Sequence, residues 1–283
     1  MEELLDVLKK EYDDCSKIVD VYKVLRVSSV RVNTLKTDVE SVCSKFLELN
    51  IKFDKVDWYK DALIIYDADL VRGLDLYKSG FIYFQSLSSM IPPLVLNPSS
   101  GDSILDMAAA PGSKTTQMAC MTNNLASITA VEKNKIRADR LKFNLEKQGA
   151  KRVTVLCEDA RRLDEFFSFD KILLDAPCSG SGTVSFNDSF SFELVSRSVK
   201  TQKELVDKAV SILKKGGELV YSTCSILKEE NDDIVDYILS KGLKLVDFDI
   251  PSSIPKLPVK YSETLCVCPS ELYEGFFVSK FVK

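Results

Sequence analysis

Residues 103–116 read SILDMAAAPGSKTT: a short apolar run closing on an acid, a loop of small residues around one proline and one glycine, then a polar helix start. A strand that enters such a loop and continues as a helix is the unit from which doubly wound α/β sheets are built. Outward from this unit the alternation continues. Further strands are predicted over 127–131, 153–157, 171–174 and 218–222, and helices over 114–121, 134–148, 201–214 and 228–239. Gly149, and Gly216 with Gly217, stop two of those helices. Residues 1–80 read differently, as a helix over 4–25 with strands over 29–33 and 62–66. The expectation is a small N-terminal α+β domain, 1–80, ahead of a Rossmann-like α/β domain, 81–283, with ligands held beyond the carboxyl ends of the parallel strands.

Composition narrows the chemistry. At 283 residues, 45% hydrophobic and 28% charged, the chain is long enough for about two domains and has no disordered character. It contains no histidine, which removes the Ser-His-Asp triad, the Cys-His pair and His-ligated zinc together. The acidic start, MEELLDVLKKEYDD, is unlike a secretion signal, and no apolar run approaches a membrane span. A cytoplasmic chain with eight reduced cysteines is expected. Cys266 and Cys268 are read as two strand cysteines in preference to a zinc site, so no metal is expected. The net charge of −4 does not announce a polyanion binder, although Lys133, Lys135, Arg137, Arg140 and Lys142, or Arg161 and Arg162, can form a basic face.

The residues just past each strand point to a ligand. The loop Ala108-Ala109-Ala110-Pro111-Gly112-Ser113-Lys114 lacks the spacing of a phosphate-binding P-loop, and G-x-G-x-x-G is absent. Asp106 facing a tight loop suits a cationic group, such as the amino group of S-adenosylmethionine, better than a pyrophosphate. An ordinary strand-turn-helix explains the segment equally well when it is taken alone. Glu132, twenty residues after Gly112, stands where such folds bind ribose hydroxyls. Asp159 comes after the third strand and suits an adenine amino group, and Asp175 ends the fourth. Four carboxylates on one edge are harder to dismiss than one. Cys178 and Cys224 come after the fourth and fifth strands on that same edge; each alone reads as an inert buried thiol, but the pair does not.

Six segments in order, RVNTLK from Arg31, QSLSSM from Gln85, DMAAAPGSK from Asp106, DAPCSG from Asp175, YSTCS from Tyr221 and EEN from Glu229, closely resemble the RNA cytosine-5 methyltransferases of the Nop2/Sun type. The likeness runs from about residue 29 to the end and is strongest to compact archaeal tRNA-modifying members. It implies a class I methyltransferase fold, S-adenosylmethionine as cofactor, and an RRM-like N-terminal domain that contacts RNA. Carried over position by position, it makes Cys224 the nucleophile and Cys178 the cysteine that releases product. Ala108 to Lys114, Glu132, Arg137, Asp159 and Asp175 then hold the cofactor, with Asp175 also close to the target base. The expected partner is RNA, with tRNA favoured over rRNA, acted on by a monomer; DNA is disfavoured because DNA cytosine methyltransferases carry the nucleophile in their Pro-Cys motif. A polyanion grip is expected from Arg31, Lys36, Lys133 and Lys200. The chain departs from the family at Ala108, at Ser113, over residues 184–192, which lack basic side chains, and at Cys266, where relatives carry arginine.

The chemistry explains two thiols. Carbon 5 of cytosine becomes nucleophilic only after a nucleophile adds at carbon 6, and a thiolate does this well. The carbon 5 proton must later leave and the thiol must be eliminated, and without histidine a second cysteine is available for that step. The base must also be unstacked to be reached.

Overall fold

The structure, a computed structural model, describes residues 2–12, 16–185, 190–249 and 251–283. Two helices, α1 (Glu2–Glu11) and α2 (Ser16–Val21), open the chain in place of the single helix expected over 4–25. Next come β1 (Ser28–Val32), α3 (Val39–Glu48), β2 (Phe53–Lys55), β3 (Ala62–Ile65), α4 (Ala68–Gly73), α5 (Asp75–Lys78) and β4 (Ile82–Phe84). The four strands form an antiparallel sheet in the order β2-β3-β1-β4. Its apolar side packs Val30, Val32, Leu63 and Ile65 on Val42 and Phe46 of α3.

The remainder alternates as expected: α6 (Leu87–Leu96), β5 (Ser103–Asp106), α7 (Ser113–Met121), β6 (Ser127–Val131), α8 (Lys135–Gln148), β7 (Val153–Leu156), β8 (Phe169–Asp175), α9 (Phe192–Ile212), β9 (Leu213–Thr223) and α10 (Asp232–Ser240). Four further strands complete the sheet: β10 (Lys244–Val246), β11 (Lys256–Leu257), β12 (Leu265–Val267) and β13 (Phe276–Val282); only β12 was anticipated, through its cysteine, and Cys268 lies just past it. The order is β11-β12-β13-β9-β8-β5-β6-β7, with β10 also on β13. Strands β5 to β9 run parallel, so Asp106, Glu132, Asp159 and Asp175 all emerge at one edge. The order reverses at β5, which lies between β6 and β8, and this switch point is where a ligand cleft opens.

Helix α6 escapes sequence reading because it contains Pro92 and Pro93, which cannot donate to the preceding turn. Gln85 Nε2 donates to the Ser89 carbonyl that Pro93 leaves free, and the helix is buried almost all round. Helix α9 begins nine residues before its predicted start, capped by Ser191, whose side chain accepts from Glu193 N. The opening helices do not join the N-terminal sheet as the 1–80 division supposed. Leu4, Leu8, Tyr12, Ile18 and Tyr22 are buried in the same cluster as Val195, Ile226, Leu227 and Cys266. Their apolar faces are covered by the larger sheet's helices and loops, which a local pattern cannot reveal.

Candidate active site

The strand ends build a cleft lined by Met107, Ala108, Glu132, Arg137, Asp159 and Arg161, with Pro177, Thr201 and Leu205 on its far wall. Glu132 is almost fully buried just past β6, where Oε1 accepts from Asn134 N and Oε2 faces Arg137 at 3.5 Å. Arg137 also donates to the Ala110 carbonyl at 2.9 Å, tying α8 to the loop after β5. Gly112, at φ +105°, turns that loop into α7, and a Cβ there would meet Leu141 Cδ1 at 2.9 Å. Asp106 accepts from Thr115 Oγ1 at 2.7 Å, whereas its Oδ1 is buried without a hydrogen-bond partner. Burial pushes the Asp106 carboxyl up to about 6, with Asp175 adding to the rise. An unsatisfied carboxylate oxygen and a buried acid beyond the second strand, both at the cleft end of the sheet, fit an adenosyl cofactor with a cationic amino-acid end.

Asp159 lies in the cleft but is already held. Arg161 grips both of its carboxylate oxygens and also pairs with Glu204. The Arg161 guanidinium holds the Asp159 carboxyl down at about 2. Of the loop residues, Ala108 faces the cleft, while Ala109 and Ala110 are buried among Leu141 and Leu145. Lys114 turns to the other side, donating to Ser89 Oγ at 2.8 Å and pairing with Asp175 at 2.7 Å. Thr201 and Leu205 were missed by sequence reading, because they come from α9 and no motif marks them; Pro177 sits inside the DAPCSG segment but was not singled out as a cleft wall.

Beside the Lys114–Asp175 pair stand the two cysteines, with Cys178 Sγ 3.1 Å from Cys224 Sγ. The hydrogen bond from Cys178 lowers the Cys224 thiol below its ordinary value against the opposing effect of burial; Lys114 also favours the thiolate, while Asp175 and Glu274 oppose it. Cys178 is pushed well up by that same hydrogen bond and by burial. The pair is therefore unequal: Cys224 is the easier of the two to ionise. Asp175 is fixed through both oxygens, one to Lys114 and the other accepting from Ser222 Oγ at 2.8 Å.

The cysteine loops are braced from three directions. Glu230, fully buried, accepts from Ser179 N and Ser179 Oγ, and Gln202 of α9 donates to both Glu230 and the Pro177 carbonyl. Asn231 accepts from Thr223 Oγ1 and donates to the Ser225 carbonyl. Gly182 N donates to the Cys224 carbonyl, and Gly182 packs so closely on Gly275 that a Cβ would lie 2.1 Å from its carbonyl oxygen. From the N-terminal segment, Tyr12 donates to the Ile226 carbonyl, Tyr22 to that of Ser181 and Arg26 to that of Gly182. The EEN motif thus positions thiols, and the tyrosines are bracing residues that sequence reading did not find.

The expected polyanion grip needs correction. Arg31 is fully buried and donates to Gln85, Cys120 and Thr116, so it welds β1 and α7 together and is not available to RNA. Lys36 donates to the Ser79 and Lys147 carbonyls. Lys133 and Lys200 are exposed. Cys266 is buried in β12 among Tyr12, Ile226 and Leu227, where burial pushes its thiol up, so this side chain faces the core. Within the 184–192 departure, residues 186–189 lie outside the described residues, as does Cys15. No helix among the described residues is long and apolar enough to cross a membrane.

Comparison with known proteins gives a consistent result. The family described as 16S rRNA methyltransferase RsmB/F matches residues 93–282. A tRNA (cytosine(49)-C(5))-methyltransferase of Pyrococcus abyssi is 38% identical over 276 residues, covering 93% of this chain and 86% of that protein. Ribosomal RNA small subunit methyltransferase F of Shewanella sp. (strain MR-7) is 37% identical over 270 residues, which is 90% of this chain but only 56% of the relative. A solved methyltransferase homologue from Pyrococcus horikoshii superposes with a TM-score of 0.89 at 29% identity, covering 100% of this chain and 95% of its own. With its sheet order, its strand-end acids and its paired thiols, the chain belongs to the RsmB/F family of S-adenosylmethionine-dependent RNA cytosine-5 methyltransferases.

Proposed function

We propose that the chain methylates a cytosine of tRNA at carbon 5, with Cys224 as nucleophile and Cys178 as the residue that frees the product. The observation carrying this reading is the 3.1 Å approach of two unequal thiols beside the Lys114–Asp175 pair. The Cys224 thiolate adds to carbon 6, opening the 5,6 double bond and placing electron density on carbon 5. Asp175, held rigid by Lys114 and Ser222, stabilises the protonated ring nitrogen that accompanies addition. S-adenosylmethionine, when bound, supplies an electrophilic methyl group; Ala108, Glu132, Arg137 and Asp159, with the Asp106 carboxylate, would hold it at the cleft. The carbon 5 proton then passes to a solvent water, its electron pair reforms the 5,6 double bond, and the bond from carbon 6 to sulfur opens with its pair returning to Cys224 as thiolate. As charge returns to Cys224, the Cys178 thiol donates to it and makes it the better leaving group.

The antiparallel sheet over residues 28–84 is proposed as the RNA-contacting unit. The tRNA assignment is supported by the fuller coverage of the Pyrococcus relative, and the Shewanella relatives keep rRNA as the second reading. Seven described cysteines stand unbridged, two of them 3.1 Å apart, which supports the cytoplasm as the compartment. The test is incubation with methyl-labelled cofactor and unmodified tRNA and rRNA, followed by nucleoside analysis. Label in 5-methylcytidine of tRNA is expected. Label confined to rRNA changes the substrate, and label in another nucleoside overturns the reaction.

A further inference from the structure

We infer that the cleft between the N-terminal sheet and α8 binds an unstacked nucleotide of the RNA substrate, stacking its base on aromatic rings and pairing its phosphate with Arg140 and Lys147. This inference rests on the RNA methyltransferase reading above. The cleft has a volume of about 360 Å³ and is lined by Tyr77 of α5, Tyr83 and Phe84 of β4, and Arg140, Asn144 and Lys147 of α8. No carboxylate lines it, in a chain whose net charge is −4. Aromatic faces interleaved with cations are what single-stranded nucleic acid requires, because every base has a face to stack and every phosphate a charge to pair.

The cations are already placed against the rings. Lys147 Nζ lies 4.0 Å from the Tyr77 centroid, and the Arg72 guanidinium lies 4.6 Å from that of Phe84. Tyr77 and Phe84 meet edge to face at 5.3 Å. Burial and the nearby Lys36 charge hold the Lys147 amine below its ordinary value, a strain that an incoming phosphate would relieve. Phe84 also forms a wall of the adjoining cleft, which holds Arg26, Ser86 and Glu274. Arg26 donates to the Gly182 carbonyl in the loop that carries Cys178, and its Nε is buried without a partner. The two clefts share Phe84 as a wall, and Arg26 of the second touches the loop that carries Cys178, so a strand crossing both would run from near that loop to α8.

The test uses the full chain with unmodified tRNA carrying 4-thiouridine, and with free cytidine monophosphate as a second probe. Arg140→Gln with Lys147→Gln should weaken tRNA binding about tenfold or more and make the log-log salt slope less steep by about 0.7, the share of the one phosphate the two side chains neutralise. Cofactor affinity should not change, which reports that the variant is folded. Photo-crosslinks should fall on Tyr77, Tyr83 or Phe84. Unchanged tRNA affinity and slope, or crosslinks absent from residues 77–84, overturn the inference while wild-type methylation of tRNA leaves the parent reading standing. An equal loss of cytidine monophosphate binding identifies a free-nucleotide pocket and also overturns it. Wild-type protein that neither binds nor methylates RNA removes the parent reading and the inference together.

Discussion

Cys178 Sγ lies 3.1 Å from Cys224 Sγ, and that one contact makes two chemically identical side chains different, holding the Cys224 thiol down and pushing that of Cys178 up. Removing the Cys178 thiol should raise the Cys224 pKa. In Cys178→Ala, the pH profile for alkylation of Cys224 by iodoacetamide should move upward by about one unit, since a hydrogen bond to a charged acceptor is worth about 1.5–3 kcal/mol. A profile that stays in place would show that Cys224 draws its ionisation from elsewhere.

Glu132 is predicted to hold the cofactor. Glu132→Ala should weaken S-adenosylmethionine binding by about 1–3 kcal/mol, the cost of leaving hydrogen-bonding partners unpaired, as read by calorimetry. Equal affinity in the variant, or a preference for NAD or ATP in the wild type, refutes the assignment.

Cofactor binding should also depend on pH through Asp106, whose carboxyl is pushed up to about 6 by burial. The ionised form attracts a cationic ligand, and protonation competes with it. Affinity is therefore full above about pH 6 and falls by up to about tenfold per unit below it, because each proton taken up must be lost again on binding. Asp106→Asn should bind weakly with no such pH dependence. A wild-type affinity constant from pH 7 to 5 rules the role out.

Tyr22 tests the bracing of the catalytic loop. Its hydroxyl donates to the Ser181 carbonyl at 2.7 Å in a buried position, so Tyr22→Phe leaves that carbonyl unpaired. Urea unfolding should show a loss of about 1–2 kcal/mol. An unchanged midpoint would mean that the loop holds itself.

How much of this was legible in the sequence depends on how local each signal is. The strand ending at Asp106 and its small-residue loop are written in contiguous residues, with the acid at Glu132 one strand further on, and the structure puts Met107, Ala108 and Glu132 around one cleft. Helix α6 was hidden by Pro92 and Pro93, whose cost is offset by Gln85, a residue outside the helix. Arg31 read as a polyanion contact because a charged residue in isolation belongs in solvent. Its partners Gln85, Cys120 and Thr116 are 54 to 89 residues away, so no window reveals that it is satisfied inside. The same holds for Tyr12 and Tyr22, whose acceptors lie 214 and 159 residues away. Cleft walls from α9 carry no motif because they contribute shape, not chemistry.

The division of labour between the thiols is tested most directly on a denaturing gel after incubation with cofactor and unmodified tRNA. Cys178→Ala should attack and methylate but stall, so RNA stays attached to protein. Cys224→Ala should bind both ligands yet give no attached RNA and no product, and the double variant should give none either. Attached RNA in Cys224→Ala and none in Cys178→Ala would reverse the roles and contradict the account.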